Sequence, residues 1–179
     1  EADATNLTAG TNPTSVVTGT ANGGQSTNNI SGKKNLALES SQGDTDLKSV
    51  AGSSKFILID FSSPSCGYCL QFAAMLESNA SILGDSCSTV TMVNPGQLDG
   101  WNSRLDSRGA GGAKAHSYAL KNERHGAALG ILEESGASGS VPTPTILLFD
   151  VENNNVISKN VGALTEGGLR SFLGTKCGG

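Results

Sequence analysis

Short apolar blocks alternate with polar and glycine-rich stretches along this chain, and the spacing within the blocks predicts strands and helices. Residues 56–61 are apolar except for Asp60, which is typical of a parallel strand covered on both faces. From Cys69 onward, apolar positions recur three, four and seven residues later, which predicts a helix with one buried face. A strand followed directly by a helix therefore occupies residues 56 to about 76.

The other blocks extend this alternation. Further strands are predicted over residues 88–93, 145–149 and 156–161, and further helices over residues 45–50, 113–132 and 165–173. The last two strands read as a hairpin, while residues 94–96 and 108–112 read as a turn and a loop. This order predicts an α/β fold whose sheet is parallel in one half and antiparallel in the other.

Residues 1–44 differ from the rest of the chain in composition. They are rich in Thr, Asn, Ser, Gly and Ala and contain few apolar side chains, so we expect a flexible polar segment, with a short strand around residues 36–38. Such a segment suits a linker to a membrane anchor or cleavage site, or equally a dispensable tail. Because the sequence begins at Glu1 without an initiator Met, we expect a mature or trimmed form, in which any signal peptide or lipid-anchored cysteine would be absent from view.

Charge and cysteine usage limit the functional classes. The 179 residues carry a formal net charge of −4, which argues against nucleic acid or an anionic membrane surface as the main partner. The four cysteines form one close pair, Cys66 and Cys69, and one distant pair, Cys87 and Cys177. The distant pair is either a structural bridge or two unconnected thiols. A bridge would place the protein in an oxidising compartment such as the periplasm or another extracytoplasmic space.

The close pair stands where the predicted strand ends and the predicted helix begins. Partial positive charge and free N–H groups at a helix N-terminus favour a thiolate and lower the pKa of the first cysteine. The thiolate of Cys66 can attack a disulfide, and Cys69, one turn later, can close the ring and release the partner. A metal site would need two more ligands, and the spacing of His116 and His125 does not provide them. We therefore predict a redox-active pair without a bound metal or other cofactor.

Two blocks of this sequence resemble the thioredoxin superfamily. Residues 56–76 resemble its strand–CxxC–helix core, and residues 143–173 resemble its cis-proline, hairpin and final helix. The resemblance implies a thioredoxin-like α/β fold, a central mixed sheet flanked by helices, over residues 45–177. It also implies that Pro144, not Pro142, follows a cis peptide bond.

Carried over to matching positions, the resemblance implies roles for individual residues. Cys66 would be the nucleophile and Cys69 the resolving thiol. Asp60 lies six residues before the first cysteine, where thioredoxins keep a buried acid, and would shuttle a proton to or from the resolving thiol. Thr143 and Pro144 would contact the backbone of a substrate.

The same resemblance bears on the surroundings of the pair. Tyr68 would be exposed, and both Gly67 and Tyr68 would contact the substrate. In this fold Cys87 and Cys177 would meet at the end distant from the active site, so a disulfide between them is geometrically reasonable. Residues 94–140 make the spacer before the cis-proline longer than in minimal thioredoxins, and we expect them to form an enlarged insertion.

The sequence also departs from cytosolic thioredoxin. Ser62 replaces the aromatic residue usually found four positions before the first cysteine. The Gly-Tyr dipeptide and Thr143 are similar to those of bacterial periplasmic disulfide isomerases. The C-terminal hairpin block is more similar to the membrane-tethered thiol reductases of cytochrome c maturation.

These features predict a periplasmic or otherwise extracytoplasmic thiol–disulfide oxidoreductase acting on protein thiols and disulfides, foremost as a reductase. An upstream electron donor or acceptor, and a membrane tether before residue 1, are the other expected partners. The alternatives are a disulfide isomerase or oxidase, and a non-enzymatic thioredoxin-like binding module that uses residues 94–140 as its recognition surface.

Overall fold

The computed structural model of the protein describes residues 27–122 and 141–177. Its strands are β1 (Ala37–Ser40), β2 (Gly43–Asp46), β3 (Phe56–Phe61), β4 (Cys87–Val93), β5 (Ser117–Leu120), β6 (Thr145–Asp150) and β7 (Asn155–Val161). The α-helices of the described ranges are α1 (Leu47–Ala51), α2 (Gly67–Ser78), α3 (Leu98–Ser107) and α4 (Glu166–Leu173). These helices are too short to cross a bilayer.

The strands of the described ranges form one seven-stranded mixed sheet in the order β2-β1-β5-β4-β3-β6-β7. β3 runs parallel to β4 and antiparallel to β6, with Phe61 opposite Thr145. The carboxyl end of β3 and the start of β6 therefore meet at one end of the sheet. This end carries the CxxC motif, because β3 leads directly into α2.

The side chains of β3 alternate between two buried faces, as the period of a strand requires. Leu58 packs against the apolar faces of α2 and α4, whereas Ile57 and Ile59 pack on the opposite face with residues of α1. Asp60 is two residues from Leu58 and thus lies on the face that α2 covers. The continuous apolar character of the run over 56–61 follows from this double burial.

Side-chain caps fix the starts of two helices at the places the sequence suggests. Asp46 Oδ1 accepts a hydrogen bond of 2.8 Å from the Ser49 N–H at the start of α1. Thr165 Oγ1 accepts one of 3.0 Å from the Gly168 N–H at the start of α4. Each cap satisfies an N–H group that the helix itself leaves without a partner.

The described part of the N-terminal segment is ordered, so the expectation of flexibility up to residue 44 is wrong for residues 27–44. Ile30, Leu36 and Leu38 are buried in the main core, and β1 pairs with both β2 and β5. Composition misled the prediction because these few apolar side chains are buried by long-range strand pairing rather than by their neighbours in sequence. The prediction for residues 1–26 lies outside the described residues.

The described half of the predicted insertion belongs to the sheet and its covering layer. Leu98, Trp101 and Leu105 bury one face of α3, a helix that the sequence analysis missed. Residues 117–120 were predicted to be helical, but they form β5, which lies between β4 and β1. The preceding residues 111–116 form a 3₁₀ helix rather than an α-helix. The remainder of the predicted helix and insertion, residues 123–140, lies outside the described residues.

Cys87 and Cys177 are joined by a disulfide with a Cα–Cα distance of 5.2 Å. Cys87 begins β4 opposite Phe56, the first residue of β3, while Cys177 follows α4. The bridge therefore lies at the end of the sheet remote from the CxxC motif. Both cysteines are buried with apolar residues of α2 and α4.

Candidate active site

The CxxC motif occupies the first turn of α2. Cys66 is the N-cap residue, and its Sγ accepts a hydrogen bond of 3.1 Å from the Cys69 N–H. The two cysteines form a disulfide with a Cα–Cα distance of 5.2 Å. Cys66 is half-buried whereas Cys69 is fully buried, so an incoming thiol can reach the first sulfur but not the second.

The helix N-terminus favours a thiolate at Cys66 once the disulfide is reduced. The N–H groups of the first turn point toward the cap, and α2 has no acidic residue there to offset its partial positive charge. Gly67 and Tyr68 add no charge of their own. The hydrogen bond from the Cys69 N–H and the helix dipole would therefore lower the pKa of the Cys66 thiol.

Asp60 is completely buried on the face of the sheet that α2 covers. Its Oδ2 accepts a hydrogen bond of 2.9 Å from Ser62 Oγ, while Oδ1 has no partner. Burial raises the pKa of Asp60 to about 7, and the hydrogen bond from Ser62 opposes this rise. A carboxyl group with this pKa can both accept and release a proton near neutral pH.

The loop before β6 contains the predicted cis-proline. The Thr143–Pro144 peptide bond is cis, at the position that the resemblance implies. Pro144 is buried and its carbonyl accepts a hydrogen bond of 2.8 Å from the Gly162 N–H, whereas Thr143 is exposed. Since Thr145 pairs with Phe61, this loop lies at the same end of the sheet as the CxxC motif.

Tyr68 stands out among the large hydrophobic side chains because it is 69% exposed. A Cβ atom added to the neighbouring Gly67 would meet no atom within 4 Å. The dipeptide between the cysteines thus faces open space. It leaves the approach to Cys66 free and offers an aromatic surface beside it.

In the sequence, Ser62 is distinguished only as the replacement for an aromatic residue, and no role for it could be predicted. Its position two residues after Asp60 was the available signal, because residues i and i+2 of an extended chain point to the same face. In the structure, the Ser62 hydroxyl donates a hydrogen bond to the carboxylate of Asp60.

Trp101 lies in the same buried apolar cluster as Cys69. Trp101 is fully buried, and its Nε1–H donates a hydrogen bond of 2.9 Å to Ser117 Oγ. Burial lowers the pKa of His116, and the negative charge of Glu77 opposes this lowering. His125 lies outside the described residues. Within residues 27–122 and 141–177, no group of three His, Cys, Asp or Glu side chains could hold a metal ion.

The fold is thioredoxin-like, and its site combines a CxxC disulfide at a helix N-terminus with a buried acid and a cis-proline. Solved structures with this fold are similar to the chain at low sequence identity. A thiol:disulfide interchange protein from Bacteroides sp. is 17% identical, with a TM-score of 0.54 over 80% of this chain and 86% of that chain.

Two further structures have similar values. A putative protein disulfide isomerase from Bacteroides thetaiotaomicron is 13% identical, with a TM-score of 0.59 over 81% of this chain and 87% of that chain. An exposed lipoprotein thioredoxin from Streptococcus pneumoniae is 18% identical, with a TM-score of 0.54 over 78% of this chain and 97% of that chain. No protein-family model and no curated protein matches the sequence.

Proposed function

We propose that this protein is a thiol–disulfide oxidoreductase that reduces disulfides in protein substrates. The observation that carries the proposal is the asymmetry of the cysteine pair. Cys66 is accessible and its sulfur accepts a backbone hydrogen bond, whereas Cys69 is buried on the side of the helix that faces the core. An attacking thiol and a protected resolving thiol need these two environments.

The exchange proceeds in two displacements. The Cys66 thiolate attacks one sulfur of a substrate disulfide, the substrate S–S bond breaks, and the other substrate sulfur leaves and takes a proton from solvent. Cys69 then loses its proton to Asp60 and attacks Cys66 Sγ, which re-forms the internal disulfide and releases the second substrate thiolate. That thiolate is protonated in turn, and Asp60 passes its proton to solvent. Two electrons have moved from the protein to the substrate, so a partner that donates thiol electrons must return them.

The reducing direction is favoured by the charges around the pair. A strongly oxidising pair stabilises its reduced form through a very low thiolate pKa. Here the first turn of α2 offers no cationic side chain, and the ionisable group on the adjoining face of the sheet is the acid Asp60. A buried carboxylate disfavours a second negative charge nearby, which weakens stabilisation of the thiolate.

Exposed residues around the cysteine pair are the proposed substrate contacts. Exposed Thr143 beside cis-Pro144, together with Gly67 and Tyr68, would receive an extended substrate segment across Cys66.

An extracytoplasmic location is supported by the structural disulfide at the remote end of the sheet. It is also supported by the fold shared with a secreted disulfide oxidoreductase of Mycobacterium tuberculosis and an exposed lipoprotein thioredoxin.

Insulin reduction and refolding of scrambled ribonuclease distinguish the candidate functions. A reductase accelerates insulin reduction by dithiothreitol, and Cys66→Ser abolishes the acceleration. An isomerase would instead restore ribonuclease activity faster than it reduces insulin. If the reduced protein is inactive in both assays while its Cys66 still reacts with iodoacetamide, a non-enzymatic binding module replaces the proposal.

The substrate can be captured directly. Without the resolving thiol, Cys69→Ala should retain a mixed disulfide between Cys66 and its partner that wild type releases. Mass spectrometry of complexes that dissociate under reducing conditions identifies the partner. The double variant Cys66→Ser/Cys69→Ala is the matched control and should retain none.

A further inference from the structure

Ser62 is held rigidly just beyond the end of β3. It is 4% exposed, and its backbone N–H donates a hydrogen bond of 2.8 Å to the Met92 carbonyl of β4. This bond continues the strand pairing by one step and points the side chain to the face that Asp60 occupies. The hydroxyl donates to Asp60 Oδ2 at 2.9 Å, which leaves Oδ1 as the oxygen without a partner.

Neutral groups surround Asp60 within the sheet. Its register neighbours are Thr91 on β4 and Ile146 on β6, neither of which titrates near neutral pH. On the covering helix α2, Cys66 and Cys69 are joined in a disulfide and do not titrate in the oxidised protein. Other titratable side chains on these elements are exposed or lie toward the opposite end, namely Tyr68, Glu77 and Asp150.

We propose that Ser62 is a positioning residue for the buried acid, holding Oδ2 so that Oδ1 is the atom that exchanges a proton with Cys69. This inference rests on the proposed function, in which Cys69 is the group that exchanges a proton with Asp60. The orienting hydrogen bond itself is present in the oxidised protein, whichever group exchanges a proton with Asp60. A carboxyl group anchored at one oxygen cannot rotate freely, so the proton is delivered to a fixed place.

The hydroxyl also has an electrostatic consequence. A hydrogen bond to a charged acceptor is stronger than one to the same group when neutral, so Ser62 favours the carboxylate over the acid. Removing the donor should raise the pKa of Asp60, by roughly one pH unit. Exchange steps that need the carboxylate would then require a correspondingly higher pH.

The test compares Ser62→Ala with Ser62→Thr, which keeps a hydroxyl group. Titration of the Asp60 carboxyl carbon by NMR in the oxidised protein should show a midpoint about one pH unit higher for Ser62→Ala than for wild type. Ser62→Thr should restore the wild-type midpoint. Identical midpoints in wild type and Ser62→Ala would overturn the proposal, because a merely structural serine would not move this midpoint.

Kinetics supply the second arm. The pH profile of insulin reduction should shift upward in Ser62→Ala by the same amount. In an Asp60→Asn background Ser62→Ala should have no further effect on the profile, and an effect of undiminished size there would contradict the assigned route. If wild type reduces no insulin, the proposed function fails but the NMR arm still decides the role of Ser62.

Discussion

Replacing Asp60 with asparagine should remove a large pH-dependent contribution to stability. Burial raises the pKa of Asp60 from 3.8 to about 7, so the folded protein keeps this proton over a range where the unfolded chain has released it. The free energy of unfolding therefore falls as pH rises from about 4 to about 7. At about 1.4 kcal/mol per unit, the shift from 3.8 to about 7 amounts to about 4 kcal/mol.

Asparagine has nearly the same shape as aspartate but cannot ionise. The free energy of unfolding of Asp60→Asn therefore does not fall in this way as pH rises. The buried amide lacks a partner for its N–H groups and should cost about 1–3 kcal/mol at every pH. The stability of Asp60→Asn relative to wild type should nevertheless rise by about 4 kcal/mol between about pH 4 and about pH 8. The change with pH, rather than the offset, carries the prediction.

Guanidinium unfolding of the oxidised protein measures this change. Trp101 is the only tryptophan and is fully buried, so its fluorescence reports global unfolding. Asp99→Asn removes an exposed carboxyl group on α3 and serves as the matched control. A stability difference between Asp60→Asn and wild type that is the same at both ends of the pH range would refute the reasoning.

Three further predictions concern the cysteines and the covering layer. After reduction, Cys66 should react with iodoacetamide at least about tenfold faster than Cys69, because only Cys66 is accessible. Mass spectrometry of the labelled peptides measures the two rates, and equal labelling would contradict this prediction. Replacing Cys87 and Cys177 with alanine opens a loop closed over a sequence separation of 90 and should lower the free energy of unfolding by about 4 kcal/mol, with insulin reduction retained. Trp101→Phe loses a buried hydrogen bond to a serine hydroxyl on β5 and should cost about 2 kcal/mol in the same unfolding assay; an unchanged midpoint would argue against that bond.

Local patterns were sufficient where an element and its neighbours are consecutive in sequence. The strand over 56–61 and the helix that follows could be predicted because burial on both faces and a helical apolar face leave direct traces in the sequence. The cis bond before Pro144 required the resemblance, since Val141–Pro144 read alone is only a rigid turn.

Strands and buried positions that depend on long-range pairing could not be predicted from local patterns. β5 has four residues, and its strand character depends on β4 and β1, which lie far away in sequence. Ile30 and Leu38 are buried through contacts of the same kind, which a count of apolar residues cannot detect. The role inferred for Ser62 needed the distance between two side-chain oxygens, so the sequence could at most place both residues on one face.

The most direct test of the central claim is a redox titration of the four cysteines combined with insulin turnover. We predict that Cys66 and Cys69 pass reversibly between dithiol and disulfide as a two-electron couple while Cys87 and Cys177 stay bonded. We also predict that the reduced protein transfers its two electrons to insulin and that Cys66→Ser does not. A Cys66–Cys69 disulfide that remains closed under strongly reducing conditions, or insulin reduction that survives in Cys66→Ser, would contradict the account.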